Sequence, residues 1–163
     1  MSTTGDYAGL KGFTTDVSTI GAQSSATTIC PTNTCVTVPV TLSRHIGTPV
    51  LGYSVTFQLS PELSLCAGTG SIHEGSFLSS AGTTLYQVVD NGGGSYTVDD
   101  AVTPCGATGT SGTLFTIDVS SSAPSGPGTV SITDLKLRDC SNQDLPTAAG
   151  PPATVPIDNA APL

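Results

Sequence analysis

The chain has no tryptophan, one methionine, two glutamates and only four lysines and arginines among its 163 residues. Each scarcity removes a class of function. Nucleic-acid affinity comes largely from Lys and Arg neutralising phosphates, and four cations are too few for that. An anionic membrane surface asks for the same clustered cations. A helical bundle needs Ala, Leu, Glu, Lys and Arg in bulk, and this chain lacks them. No stretch reaches the roughly 18 apolar residues that span a bilayer. Residues 1–29 lack the basic start and apolar run of a signal peptide.

What is present is polar without being charged. There are 26 Thr, 20 Ser, 19 Gly and 12 Pro, charged residues make up 10%, and the net charge is −8. Hydroxyls and uncompensated negative charge therefore carry the solubility. Five cysteines stand at Cys30, Cys35, Cys66, Cys105 and Cys140. None form a CxxC pair, and neither His45 nor His73 lies near a cysteine at zinc-ligand spacing. Disulfides in an oxidising, extracellular compartment are expected instead. Cys30–Cys35 encloses the turn-prone Pro31-Thr32-Asn33-Thr34, which favours a local bridge. One further bridge and one leftover thiol then fall among Cys66, Cys105 and Cys140.

The apolar period is two. Val36, Val38, Val40 and Leu42 alternate with Thr37, Pro39 and Thr41. That is a half-buried strand, and Pro39 assigns it to an edge or an unpaired position. Leu51, Tyr53, Val55, Phe57 and Leu59 alternate with Gly52, Ser54, Thr56 and Gln58. A short strand follows near Leu63–Cys66. Thr84–Asp90 and Ser95–Asp100 flank Asn91-Gly92-Gly93-Gly94, a hairpin signal. Phe115, Ile117 and Val119 share one face. Val130 and Ile132 are out of phase with Leu135 and Leu137, which predicts a β-bulge near Thr133 and Asp134. Ala153, Val155 and Ile157 close the series. About nine strands and no long helix predict an all-β sandwich. Residues 1–29, with Tyr7, Leu10, Phe13, Val17 and Ile20 isolated among Ser, Thr and Gly, read as a mobile leader or accessory strand. The sandwich is expected over 30–158, and 159–163 as a linker stub.

The order of these pieces resembles the cohesin family. The resemblance is carried by Val36–Thr41, by Val50–Leu59 running into Ser60-Pro61-Glu62-Leu63, and by Gly112–Val119, Thr129–Asp139 and Ala153–Ile157. It covers about residues 35–158 and implies a jelly-roll sandwich of about nine strands, with a non-catalytic role in protein–protein attachment. In that topology the strands at Cys66 and Cys140 lie side by side, so the resemblance implies a Cys66–Cys140 bridge.

Catalytic equipment is sparse. No Gly-x-Ser-x-Gly elbow accompanies His45 or His73. Glu62 and Glu74 stand apart, and adjacent Asp99 and Asp100 point to opposite faces of a strand. No enzymatic activity and no required cofactor are expected. Asp139, Asn142 and Asp144 offer oxygen ligands for a structural calcium, and Asp90, Asn91, Asp99 and Asp100 bracket one hairpin. A sandwich that binds glycans usually displays aromatic platforms, and Tyr7, Phe13, Phe77, Tyr86 and Tyr96 form no row. Lys136, between inward Leu135 and Leu137, points outward and so cannot enter a buried isopeptide bond. The leading reading is an extracellular attachment module that binds a protein partner, such as a dockerin, with Ser54, Thr56 and Gln58 as an outward binding row. The alternatives are a filament or sheath subunit assembling with neighbouring copies through its terminal segments, and a carbohydrate-binding module.

Overall fold

The computed structural model describes residues 16–160. Eleven strands form two packed sheets. In chain order they are β1 (Ser18–Ala22), β2 (Val36–Ser43), β3 (Val50–Leu59), β4 (Ser64–Thr69), β5 (Ile72–Glu74), β6 (Thr83–Gly92), β7 (Ser95–Thr103), β8 (Ser111–Ser120), β9 (Gly128–Asp139), β10 (Thr147–Ala149) and β11 (Ala153–Val155). A single turn of helix, α1 (Ser76–Ser79), lies between β5 and β6. One sheet has the order β11-β9-β3-β7-β6, and the other β10-β1-β2-β8-β4, with β5 also on β8. All pairings between these strands are antiparallel except β10 with β1. The all-β sandwich expected from the period of two is the architecture found.

Alternation puts the core where it was expected on β2, with Val36, Val38, Val40 and Leu42 buried. On β3, Tyr53, Val55, Phe57 and Leu59 face inward. Leu51 departs from that series, and Val50 is buried in its place. The cause is an irregularity in register, because Arg138 pairs with Gly52 and Asp139 with Val50, leaving Leu51 extra. A second shift between Ile132 and Asp134 is the bulge that the phase change predicted. Pro39 does not mark an edge, since β2 lies between β1 and β8. The β1 ladder ends at Val40, and the Pro39 carbonyl points to that side, accepting from the Gln23 amide at 2.9 Å. The missing N–H therefore falls beyond the last pair and costs no bond to β8.

The sandwich also takes in chain ahead of residue 30. Ile20 on β1 and Ile29 are fully buried. Val17 is exposed, and Tyr7, Leu10 and Phe13, the rest of the expected leader, lie outside the described residues. At the other end Asn159 is tied down, its side chain donating to Ser121 O at 2.9 Å and Ala123 O at 2.8 Å.

Both expected bridges are replaced by others. Cys35 joins Cys66, and Cys105 joins Cys140. Cys30 stays free, turned toward its own loop with Sγ 3.4 Å from the Thr32 hydroxyl. That loop is already closed by reciprocal backbone bonds between Cys30 and Asn33. The strands at Cys66 and Cys140 do not lie side by side, because β4 and β9 belong to opposite sheets. Each real bridge instead joins two strands that flank a common neighbour. Val36 and Leu65 pair with Val119 from either side, while β7 and β9 flank β3. Non-reducing peptide mapping is expected to recover these two cross-linked pairs and one alkylatable thiol, at Cys30. Removing Cys105–Cys140 by paired serine substitution should cost about 2–4 kcal/mol in urea unfolding.

One end of the sandwich is clamped by Arg44, a residue that no motif or periodicity singles out. It is 6% exposed. Its guanidinium donates to Gly109 O, Thr48 O and Ala107 O and lies over the Phe77 ring. Burial lowers its pKa, and the Asp16 carboxylate offsets part of that effect.

Candidate functional site

The outer face of the five-stranded sheet brings apolar, hydroxyl, acidic and basic side chains together. Alternation along β3 sends Ser54, Thr56 and Gln58 to this face. Register places Asp99 and Lys136 on either side of Ser54, and Thr97 and Asp134 on either side of Thr56. Strand β6 adds Leu85, Gln87 and Val89 opposite Ala101, Asp99 and Thr97. A groove of about 310 Å³ runs across it, with Leu51, Ser54, Leu85, Asp99, Lys136 and Arg138 in its lining. Arg44 is buried, so the two cations displayed by the described residues, Lys136 and Arg138, both stand on this groove.

The expected binding row is brought together, but its members differ in freedom. Gln58 folds onto the β6–β7 hairpin, donating to Gly93 O at 2.7 Å and Leu59 O at 2.9 Å. That hairpin turns through Gly92, Gly93 and Gly94, all at positive φ, a conformation glycine adopts without a Cβ penalty. Thr56 shares a 2.8 Å hydrogen bond with Thr97. Ser54 is left to line the groove.

The candidate calcium ligands Asp139, Asn142 and Asp144 are engaged within their own loop. Asp139 Oδ1 accepts from the amides of Ser141 and Gln143, both at 2.9 Å. Asp144 lies 3.5 Å from the Arg138 guanidinium. Asn142 takes the left-handed conformation, φ 60°, and its amide donates to Asp139 O. The loop satisfies its own polar groups as a turn. Among the described residues no three His, Cys, Asp or Glu side chains gather into a metal site. At the other hairpin Asp90 caps the Gly92 amide at 2.8 Å, and Asp99 and Asp100 point to opposite faces.

The histidines sit apart. His45 is exposed beside Asp16, which accepts the His45 and Ile46 amides at 3.0 and 2.8 Å. These bonds hold the Asp16 carboxyl below its usual range. His73 lies 3.0 Å from Asp118, whose other oxygen accepts from Thr37 at 2.7 Å. Neither histidine has a serine hydroxyl as hydrogen-bond partner among the described residues. The aromatics offer no platform either. Tyr86 and Tyr96 face inward and Phe77 is buried, while Tyr7 and Phe13 lie outside the described residues.

One convergence was not expected. Asp100, inward on β7 and 4% exposed, meets Glu74 of β5 across the space between the sheets. Tyr53 and Tyr86 flank Asp100 in the ladder, but their hydroxyls donate elsewhere, to Leu114 O at 2.8 Å and Ile72 O at 3.0 Å. Among the described residues, the buried side-chain oxygens without a partner are both carboxyl oxygens of Asp100 and Oε2 of Glu74. Burial first, and then the Glu74 carboxyl, push the Asp100 pKa up from 3.8 to about 8. A proton on Asp100 gives the pair the donor it otherwise lacks. Burial also raises the Tyr53 and Tyr86 phenols. The Asp100 side chain shares the inward parity of Val98 and Val102, on the side of the sheet away from Ser54 and Lys136.

No family model matches the sequence, and no curated protein matches it. Solved structures do match in shape. A non-cellulosomal cohesin from Archaeoglobus fulgidus superposes with a TM-score of 0.68 at 17% identity, over 86% of this chain and 91% of that one. The chain has the cohesin fold. The seventh ScaB type I cohesin of Pseudobacteroides cellulosolvens gives 0.68 at 10% identity, over 90% of this chain and 96% of that one. The Coh-OlpA–Doc918 complex of Clostridium thermocellum, a type I cohesin–dockerin complex, gives 0.64 at 14% identity, over 88% and 99%. The resemblance read from Val36–Thr41 onward is thus upheld as a resemblance of fold. This cohesin-like chain carries two disulfides, and its five-stranded sheet presents the groove. No helix among the described residues is long and apolar enough to cross a membrane.

Proposed function

We propose that this chain is a non-catalytic extracellular attachment module that binds a protein partner, of dockerin type, on the outer face of the five-stranded sheet. The observation that carries the reading is the groove beside Ser54. It combines apolar Leu51 and Leu85 with the Ser54 hydroxyl and with both displayed cations, Lys136 and Arg138. Such a mixture suits a protein surface, where apolar contact gives affinity and rim charges guide orientation. The two disulfides support an oxidising compartment. Solved structures of the same fold include cohesins in complex with dockerins, which supports the partner class.

Titration against a panel of dockerins by calorimetry tests it. Ser54→Asp with Lys136→Glu should weaken binding by about 1–3 kcal/mol, through like charge and lost packing. The paired His45→Ala and His73→Ala variant should bind as wild type. Full binding by the first variant moves the interface elsewhere. Lost binding by a folded double-histidine variant means that a histidine takes part.

A further inference from the structure

Strand β6 is a long sheet edge with no guard. An exposed edge presents a row of free N–H and C=O groups, and proteins normally blunt it with lysine, proline, a bulge or shortness. The edges formed by β10 and β11 are three residues each, and β4 is fastened by Cys66 to Cys35. β6 runs for ten residues, and its ladder with β7 is regular from Thr83 to Asp90. Over Thr83–Val89 it has no charge and no proline. On its outer face Leu85 is 80% exposed and Val89 38%, two of four exposed large hydrophobic residues among those described.

The side-chain order is self-complementary about Gln87. When the strand pairs antiparallel with a copy of itself centred there, Leu85 falls opposite Val89 of the copy, and Val89 opposite its Leu85. Tyr86 and Val88 match in the same way on the inner face, and Gln87 meets Gln87, amide to amide. Each apolar residue thus gains an apolar cross-strand partner. Like charges stay apart. Asp90 falls opposite Thr84, about 20 Å along the strand from its counterpart at roughly 3.4 Å per residue. The two Asp99 carboxylates stand three strand spacings apart, about 14 Å, beyond the screening length of about 8 Å at physiological salt. In a chain of net charge −8, this neutral stretch is where two copies approach with least repulsion.

We propose that β6 pairs with β6 of a second copy about a two-fold axis through Gln87, joining two five-stranded sheets into one of ten strands. The axis is normal to the sheet, so the outer faces of both copies look the same way. The dimer therefore displays two copies of the Ser54–Lys136 groove side by side, and binding both at once gains avidity over a single groove. The backbone pairing uses the edge of the sheet, while Leu85 stands both beside that edge and in the lining of the groove.

Sedimentation and light scattering over a concentration series up to the solubility limit read the assembly. The weight-average mass is expected to double from 16.2 kDa as concentration rises. Leu85→Lys with Val89→Lys, at two exposed positions, should hold it at the single mass with an unchanged circular dichroism spectrum. Register is tested by oxidation in a Cys30→Ser background. Residues paired on the axis have Cα atoms about 4.5–5.5 Å apart, within disulfide reach, so Gln87→Cys should form a covalent dimer. Leu85→Cys should not, because its counterpart lies about 14 Å away, four residues along the strand. A single mass at every concentration, doubling that survives both lysines, or equal cross-linking at 85 and 87 would each overturn the proposal.

Discussion

Phe57→Ala is expected to lower the unfolding free energy by about 3–5 kcal/mol. Phe57 sits on β3, the middle strand of its sheet, and is fully buried. Its ring packs against Tyr96 of the neighbouring strand at 5.5 Å and against Phe115 of the opposite sheet at 5.9 Å, between centroids. Tyr53 continues the stack, 6.2 Å from Phe115. Truncation removes the ring that joins the two layers and leaves a cavity between rigid ladders that cannot close around it. A domain of this size has roughly 5–15 kcal/mol in total, so the loss is a large share. Urea unfolding measures it, with Phe57→Leu as a milder control. A loss below about 1 kcal/mol would mean that β3 does not bury its odd-numbered face.

Stability should also fall as pH rises from about 4 to 8, and Asp100→Asn should remove much of that slope. Burial and Glu74 raise the Asp100 carboxyl to about 8, whereas in the unfolded chain it titrates near 4. Between those values the folded state holds a proton that the unfolded state has released. Stability from this group is therefore complete below about pH 4 and is lost as pH climbs through about 8. The neutral amide of Asn supplies a donor toward Glu74 at every pH. The variant should accordingly be more stable than wild type at pH 8–9, on the order of 2–4 kcal/mol, with the gap closing toward pH 4. Urea midpoints at four or five pH values for both proteins provide the comparison. Parallel curves would show that Asp100 does not carry this proton. Asp16 and Glu62, whose carboxyls are held low, act with the opposite sign in acid. They are common to both proteins and cancel in the difference.

The sequence by itself determined what depends on neighbours along the chain. A period of two selects strands and decides which side chains face inward, so Val36–Leu42 and Tyr53–Leu59 were readable as core. Asn91-Gly92-Gly93-Gly94 marked its hairpin, and the phase change at Thr133 and Asp134 marked its bulge. The order of the pieces carried the fold resemblance at identities of 10–17% in the matches described above. The same alternation sent Ser54, Thr56 and Gln58 outward, where the groove lies. Asp100 carried a signal too, because it shares the inward parity of Val98 and Val102, and an acid at such a position needs a partner. Its partner Glu74 was not legible, being on a strand of the other sheet. Tertiary structure decided this meeting, as it decided which cysteines pair, which residue is extra at Leu51, and where Arg44 finds its three carbonyls. The physical reason is one of range. Alternation, turn chemistry and bulges are set over a few residues, whereas strand order is set by burying two sheet faces against each other. Every pairing across 30 or more residues, Cys35 with Cys66 and Cys105 with Cys140 included, follows from which strands that packing makes neighbours.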